Sequence, residues 1–306
     1  MNQSQYRREM LKRFAHYRNK YFAGRDHLYD PKHAHVFEPR HSCYNLFSPD
    51  LVRLVPSKRH RWFANMGSSQ ALAVSVFGTM VERGDAALLT RIPDEHGVPL
   101  LSGFVPIGDP ELEHRVTALH DPTPTQVDLF LRGQRGDVAI ECKLWEGSLS
   151  PCSQIRKAKG KEPFCNGSYA QQAGRQSGQR CALTEKGIRY WEYIPHLFHW
   201  SADRDYYPCP ICRPYQLVRN VLAAAADDDT HKANSQSVAI LLCDASNPAT
   251  APGGRIYKQY QAVQAALWQP SVLKRATWQA LAGVLRERGG YDDLLTWLDE
   301  KYAIRP

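Results

Sequence analysis

The chain has 306 residues and a net charge of +8, and it is long enough to bury a sizeable core as one elaborated domain or two smaller ones. No apolar run approaches the ~20 residues of a bilayer-spanning helix, and the first residues, MNQSQYRREMLKR, lack the apolar stretch of a secretory signal. Eight cysteines without such a signal indicate a reducing compartment, so the protein is expected in the cytoplasm and not in a membrane.

The positive charge is concentrated at the start of the chain. Residues 1–62 contain thirteen Lys and Arg and five Asp and Glu, so this segment alone accounts for the net charge of +8. We interpret it as a basic N-terminal extension that begins with a helix over residues 4–23. Basic side chains interleaved with aromatic ones suit contact with a phosphate backbone, although a solvated basic helix is an alternative. The aromatic residues are Tyr6, Tyr17, Tyr21, Phe22 and Tyr29.

Six histidines from His16 to His60 lack the close spacing of a zinc motif, so we assign them to the polar surface or to phosphate contacts. A second helix is predicted over residues 70–83, with Ser68 or Ser69 as its cap and Gly84 as its stop. Its side chains are apolar on nearly all sides, so this helix is expected to be buried.

The most informative stretch is residues 125–144, TQVDLFLRGQRGDVAIECKL, which follows a strand predicted over residues 113–119. Two runs of alternating apolar residues flank Gly133-Gln134-Arg135-Gly136, a pattern that predicts a β-hairpin. With the turn centred in this tetrapeptide, Asp128 lies directly opposite Glu141.

The same register places Gln126 opposite Lys143 and puts Lys143 on the face of Asp128 and Glu141. The other face is apolar, which suits burial, and carries Val127, Leu129, Leu131, Ile140 and Cys142. Two carboxylates and an ammonium on one face suggest a site for a hard divalent cation, which takes oxygen ligands and lowers the pKa of a bound water. The alternative is an exposed strand pair with a single salt bridge.

On these residues the chain resembles the PD-(D/E)XK nuclease superfamily, which has the restriction-endonuclease-like fold. In that family an acid on the second strand, here Asp128, precedes a Glu-x-Lys on the third, here Glu141-Cys142-Lys143. The resemblance covers roughly residues 68–245 and implies hydrolysis of phosphodiester bonds that depends on Mg²⁺ or Mn²⁺.

The resemblance also assigns roles. It implies that Asp128 and Glu141 hold the cation, with the Cys142 carbonyl as a third ligand, while Lys143 positions or activates the attacking water. An acid on the first strand can assist the metal in related nucleases, which makes Glu113 a candidate ligand and Glu111 its competitor.

A polar insertion follows the hairpin, over residues 146–212, and in its first part Gly, Ser, Gln and Lys replace apolar residues. Its cysteines are Cys152, Cys165, Cys181, Cys209 and Cys212. A segment that buries few apolar residues needs a cross-link to stabilise it, and in a reducing compartment a bound metal is a more plausible cross-link than a disulfide. Cys209-x-x-Cys212 has the close spacing of half a zinc site, whereas Cys152 and Cys165 lie further apart. Some PD-(D/E)XK nucleases carry a cysteine-bound iron–sulfur cluster, so these cysteines are expected to bind either zinc or such a cluster. The alternative is that they are ordinary thiols that bind no metal.

After Pro214 a helix is predicted over residues 215–226, with Gln216, Arg219 and Asn220 on one face. The family places a helix here, and some members carry Gln or Arg on it facing the site. The resemblance therefore implies that these three residues bind substrate, together with polar residues of the core, Gln70 and Gln126. A structural role is the alternative in each case: residues 215–226 could be an ordinary amphipathic surface helix, and Gln70 could only cap its helix.

A continuous apolar run predicts a buried strand over residues 237–245. Helices are predicted over residues 257–268, 271–288 and 292–302, packed on the core. The expected fold is α/β, a restriction-endonuclease-like core of helix, three-strand antiparallel meander, helix and fourth strand. Its expected parts are the extension (1–62), the core with its insertion (63–246) and the C-terminal helices (247–306).

The sequence lacks a Walker A motif and a Gly-x-Ser-x-Gly, which argues against ATP-driven work and against a serine hydrolase. The favoured function is a metal-dependent DNA endonuclease of a restriction or repair type, with nucleic acid as its partner and a homodimer left open. The alternatives are a nucleic-acid-binding protein on the same fold without turnover, and an interaction module stapled by a metal.

Overall fold

The computed structural model describes residues 1–55, 61–156, 165–172, 175, 178–227 and 229–306. The helices are α1 (Gln3–Tyr21), α2 (Ser69–Glu82), α3 (Tyr190–Leu197), α4 (Tyr215–Ala225), α5 (Arg255–Ala266), α6 (Trp278–Arg288) and α7 (Asp292–Tyr302). The strands are β1 (Tyr29–Asp30), β2 (His33–Phe37), β3 (Glu111–Val116), β4 (Thr125–Leu131), β5 (Val138–Lys143), β6 (Ala226–Asp227), β7 (Lys232–Ala233), β8 (Val238–Cys243) and β9 (Leu273–Thr277). No helix in these ranges is long and apolar enough to cross a membrane.

A mixed sheet of five strands in the order β3-β4-β5-β8-β9 forms the centre of the molecule. The strands β3, β4 and β5 are antiparallel neighbours, whereas β8 and β9 run parallel to β5. Leu129 pairs with Ile140, which is the register that the hairpin sequence predicts.

The edge strand β9 is a correction, because residues 271–288 were predicted as one helix. In the structure residues 273–277 pair with β8, and the helix begins only at Trp278, where Thr277 caps it. An edge strand is covered less completely than a central one, and only Leu273 and Ala276 are buried in β9. Their spacing of three residues continues into the apolar stripe of α6 and looks helical.

Helices cover both faces of the sheet. The α2-side core buries Leu129 and Ile140 of the sheet against α2, α1, α6 and α7, with Leu72, Phe14 and Trp278 among its members. The α4-side core buries Phe130 and Ala139 against α3, α4 and α5, with Tyr193, Val221 and Ile256 among its members. Successive strand side chains point to opposite faces, so one hairpin supplies apolar residues to both cores.

The helix α2 lies where the sequence predicts it. The Ser68 side chain accepts a hydrogen bond from the Ala71 N–H at 3.2 Å and caps the first turn. Every residue from Gln70 to Met80 is buried, because α2 packs on the sheet with one face and on the 3₁₀ segments before residue 55 with the other.

The N-terminal helix α1 is part of the α2-side core. Tyr6, Met10, Phe14 and Tyr17 are buried in it, at helical spacing, and pack near α7. The expectation that aromatic residues of this segment contact phosphate is therefore wrong for Tyr6 and Tyr17, and also for Tyr29, which is 4% exposed. Aromatic residues at helical spacing signal a buried face, even when basic residues lie between them.

Candidate functional site

A cleft of about 1110 Å³ opens in the described part of the chain. Its wall includes side chains from the start of α2, from β3, β4 and β5, and from α4. The structure brings Glu113, Asp128, Glu141 and Lys143 into this cleft. The four residues come from three neighbouring strands, so the sheet itself holds their spacing.

The strand β3 is distorted where it meets the cleft. Glu113 has a φ of +53°, in the left-handed region, while the residues on either side of it pair with Leu129 and Val127 of β4. Glu113 is therefore opposite Asp128. A non-glycine residue held in this conformation costs about 1–3 kcal/mol, and such residues concentrate at functional sites.

The competing acid Glu111 lies outside the cleft. Its carboxylate pairs with His114 Nδ1 at 2.7 Å and with Arg132 Nε at 3.2 Å, and its side chain is 43% exposed. The structure thus resolves the choice between the two acids of this strand: Glu113 faces Asp128 and Glu111 belongs to the surface.

The ladder between β4 and β5 stops at the pair Leu129 and Ile140. In place of the next backbone pairing, the Asp128 carboxylate accepts a hydrogen bond from the Cys142 N–H at 2.7 Å. The alternation of β4 side chains is interrupted at this point. Val127, predicted on the face of Leu129, packs instead in the α4-side core, whereas Cys142 lies in the α2-side core as expected.

Glu141 is the most thoroughly bonded residue of the site. Its Oε1 accepts hydrogen bonds from Lys143 Nζ and from Gln216 Nε2, both at 2.6 Å, and its Oε2 accepts one from Asn220 Nδ2 at 2.9 Å. Glu141 and Lys143 are each 6% exposed, so the pair is nearly dry and needs these partners. Gln216 and Asn220 thus hold Glu141, and Asn220, predicted to bind substrate, is buried beneath the site.

Glu113 has a partner for only one of its oxygens. Gln70 Nε2 donates to Glu113 Oε2 at 2.5 Å, while Glu113 Oε1 is buried with no hydrogen-bond partner. Gln126 donates from Nε2 to the backbone oxygen of Glu113 at 3.3 Å. Gln70 and Gln126, two of the three glutamines predicted to bind substrate, therefore contact Glu113, and both line the cleft.

The acids of the site are buried close to one another, and burial and proximity raise the pKa values of two of them. Burial raises the pKa of Glu113 to about 7, against the lowering effect of the Gln70 hydrogen bond, and the charge of Glu141 raises it further. Burial also raises the pKa of Asp128 well above its usual range, with Glu141 and Glu113 adding to the shift. Burial disfavours the charge of Lys143, but Glu141 and the other acids outweigh it, so its pKa is raised and the ammonium is kept.

This donor set fits a hard divalent cation. Carboxylate oxygens are the ligands such ions prefer, the buried Oε1 of Glu113 lacks a partner, and mutual repulsion of the acids is what a cation offsets. Within the described ranges, no group of three or more His, Cys, Asp or Glu side chains already converges as a metal site. The Asp128 carboxylate is engaged with a backbone N–H instead.

Basic and aromatic side chains form another part of the wall. Arg219 lies over the Tyr215 ring at 5.5 Å, and its Nε is buried without a hydrogen-bond partner. Arg7 of α1 lies over the Trp145 ring at 5.0 Å, with His35 of β2 at the edge of the same indole. All five residues line the cleft.

Sequence reasoning missed Arg7, His35 and Trp145 as site residues. It placed the arginine in a basic extension and the histidine among general surface or phosphate contacts. A second omission is Asp121, whose carboxylate accepts hydrogen bonds from the Tyr190 hydroxyl at 2.9 and 2.8 Å. Arg7 and His35 come to the cleft from distant segments, so no local spacing signals them, whereas Trp145 and Asp121 lie close to β5 and β4 in the chain but outside the motif.

The five cysteines of the insertion meet at a second, smaller cavity, on the α4-side core. Cys152, Cys165, Cys181, Cys209 and Cys212 all line it, and none of them is in a disulfide. The structure therefore gathers the full predicted set around one cavity, which shares Gln154 and Leu183 with the wall of the acidic cleft.

Comparison with known proteins gives one match. Residues 9–303 match a family model described as "Restriction Endonuclease associating with ARP". No curated protein and no solved structure matches the chain significantly. The matched region covers nearly the whole chain, including most of α1, the cleft residues other than Arg7, the cysteine-bearing insertion and the C-terminal helices.

Proposed function

The chain belongs to the family of restriction endonucleases associating with ARP, and from this premise we propose that it is a metal-dependent nuclease of the PD-(D/E)XK superfamily that hydrolyses DNA phosphodiester bonds. One observation carries the proposal. Asp128, Glu141 and Lys143, the three residues of the motif, line the same cleft with Glu113 beside them.

The metal would be Mg²⁺ or Mn²⁺, held by the carboxylates of Asp128, Glu141 and Glu113 with the Cys142 carbonyl as a further ligand. Such a cation supplies Lewis-acid stabilisation of the charge that develops on the phosphate oxygens during hydrolysis. The protein provides the cluster of carboxylates. The raised pKa values of Glu113 and Asp128 indicate that the protein's own groups stabilise the negative charge of these buried acids only in part.

Lys143 acts as a fixed positive charge. Its ion pair with Glu141 at 2.6 Å keeps the ammonium protonated and aims it into the cleft. A protonated amine donates hydrogen bonds, so Lys143 is suited to orient the attacking water and to stabilise negative charge on the phosphate. Gln216 and Asn220 act through Glu141 as positioning residues.

The substrate would enter between basic side chains from two separate elements. Arg219 on α4 and Arg7 on α1 both line the cleft, and Arg219 retains an unpaired buried Nε that a phosphate oxygen could satisfy. Guanidinium groups bind phosphate in a bidentate manner. These contacts give backbone affinity and carry no sequence information.

The test is cleavage of plasmid DNA with Mg²⁺ or Mn²⁺, and again with EDTA, by wild type and by Lys143→Met. The substitution keeps the bulk of the side chain and removes its charge, so cleavage should fall by roughly 100-fold or more while DNA binding changes little. Lys274→Met is the matched control, because Lys274 lies on β9 of the same sheet and its ammonium donates to the Leu100 carbonyl outside the cleft.

Glu141→Gln should lose both cleavage and Mg²⁺ affinity, because the amide carries no charge and presents only one acceptor oxygen. Near-wild-type turnover in either cleft variant would refute the assigned roles. Salt-dependent DNA binding without metal-dependent cleavage would favour a binding protein on a nuclease fold, and neither binding nor cleavage would favour an interaction module.

A further inference from the structure

Five cysteine side chains surround one small cavity beside the α4-side core. Its lining also includes Ile155, Leu183 and Ile211. The room left inside for a water-sized sphere is about 10 Å³, comparable to what a single water molecule needs. Five cysteines gathered around a space of this size need a physical explanation, because buried thiols alone give little stability beyond that of a small apolar side chain.

The backbone around these cysteines points amide groups at sulfur. Gly167 N–H donates to Cys165 Sγ at 3.4 Å. Burial raises the pKa of the Cys152, Cys181 and Cys209 thiols, and backbone amides oppose that rise: Gln154 at Cys152, Leu183 and Thr184 at Cys181, and Ile211 at Cys209. In each case one amide belongs to the residue two positions after the cysteine.

This repeated geometry has a chemical meaning. A neutral thiol is a weak hydrogen-bond acceptor and gains little from an amide donor. A thiolate gains much more, since hydrogen bonding favours the charged form, and amide contacts to metal-bound sulfur orient the ligand and tune its charge. Amide donors near Cys152, Cys165 and Cys209 therefore suit thiolates, and Cys181 has such donors too, so the choice among the five cysteines depends on which turns are joined to one another.

Backbone hydrogen bonds join the turns to one another. Cys152 N–H donates to the Cys212 carbonyl at 2.8 Å, which places the first turn against the Cys209-x-x-Cys212 turn. Cys209 N–H donates to the Gly167 carbonyl at 2.8 Å, which places the Cys165 turn there as well. The Cys181 turn has no backbone bond of this kind among the described residues, although Cys181 lines the cavity.

We propose that this cluster is a structural zinc site in which Cys152, Cys165, Cys209 and Cys212 are the four ligands and Cys181 is a neighbour. Four thiolates in a tetrahedron are a standard structural zinc set. The small cavity favours a single ion over an iron–sulfur cluster, which needs room for several iron and sulfide atoms. Each thiol that binds releases its proton to the solvent.

The site closes as the metal binds. In the described part of the chain, no three side chains of the ligand types yet surround a common point, so the sulfur atoms must move together around the ion. This coupling of metal binding to local order is the normal behaviour of thiolate zinc sites. The zinc would tie the first part of the insertion to the turn that precedes α4, the helix that holds Glu141.

The first experiment measures the metal content of the purified full chain. We expect about one zinc ion per chain, four thiols protected from a thiol reagent until a chelator is added, and a melting temperature that falls on chelation and recovers with zinc. These readouts do not depend on nuclease activity. Metal-free protein whose count of reactive thiols does not change on adding the chelator would overturn the site, and iron with acid-labile sulfide would overturn the assignment to zinc.

The second experiment identifies the ligands. Cys209→Ser should reduce the zinc content to near zero and lower the melting temperature, whereas Cys181→Ser should keep the zinc. Cys243→Ser is the control for a buried thiol elsewhere, since its Sγ donates to the Ala276 carbonyl at 3.5 Å between β8 and β9 of the central sheet. Zinc retained by Cys209→Ser, or lost by Cys181→Ser, would contradict the ligand set. If Cys209→Ser fails to fold, chelation of wild type decides instead.

Discussion

Glu113 should make the metal-free protein less stable as pH rises, and Glu113→Gln should remove that loss. The carboxyl is 4% exposed, lies near Glu141 and Asp128, and receives a hydrogen bond on one oxygen only, from Gln70. Nothing in its surroundings compensates a negative charge fully. The amide of glutamine has nearly the same shape and stays neutral at every pH.

The magnitude follows from the pKa. Burial, with the charge of Glu141, raises the pKa of Glu113 from 4.5 to about 7. The folded protein then holds this proton more tightly than the unfolded chain, so the stabilisation is present at low pH and is lost as pH rises from about 4.5 to about 7. Such a shift corresponds to about 3 kcal/mol of unfolding free energy.

The assay is urea unfolding in EDTA between pH 5 and pH 8. Glu113→Gln should match wild type near pH 5 and exceed it by about 3 kcal/mol at pH 8. Added Mg²⁺ should narrow this gap, because a cation restores compensation to the wild-type acid. Glu111→Gln is the control: its exposed carboxylate on the same strand should shift stability by no more than about 1 kcal/mol at any pH.

Parallel stability curves for wild type and Glu113→Gln across this pH range would refute the reasoning. The two proteins would then bind the same number of protons on unfolding, which means that Glu113 is either solvated or already compensated. If Mg²⁺ left the stability difference between wild type and Glu113→Gln unchanged, the burial of the acid would stand but its proposed role in metal binding would be refuted.

Two further predictions test the walls of the cleft. Gly67→Ala would place a Cβ 2.3 Å from the Trp145 ring, so overpacking should lower the free energy of unfolding in urea by about 1–3 kcal/mol. The control Gly283→Ala, in a helix with open space around it, should be neutral or should raise that free energy by up to about 1 kcal/mol. Equal effects of the two substitutions would contradict the close approach of Gly67 to Trp145. Arg7→Gln should weaken DNA binding and reduce the number of ions released on binding, read from the salt dependence, by about one. The control Lys12→Gln, on the exposed side of α1 beside Glu9, should have a smaller effect on both quantities. A larger effect of Lys12→Gln than of Arg7→Gln would place the DNA elsewhere.

The hairpin shows how much the sequence determined on its own. A glycine-bracketed turn fixes the register of the two strands that it joins, so the pairing of Leu129 with Ile140 could be predicted from adjacent residues. The same local logic located α2, with Ser68 or Ser69 as its cap, and α4 with Gln216, and the structure shows that Ser68 is the cap. Each of these features depends on residues close together in the chain.

Tertiary structure decided the features that depend on distant partners. Residues 273–277 form a strand because β8 offers them a free edge, although their apolar spacing is helical. Glu113, rather than Glu111, faces Asp128 because β3 adopts a positive φ that no sequence pattern specifies.

The composition of the cleft wall was likewise decided in three dimensions. Arg7 and Trp145 meet there only because α1 packs into the α2-side core, which a count of basic residues cannot foresee. Local sequence sets the backbone conformation and the faces of each element. Which faces meet depends on burial of apolar surface across the whole chain, and that free energy belongs to the packed structure as a whole.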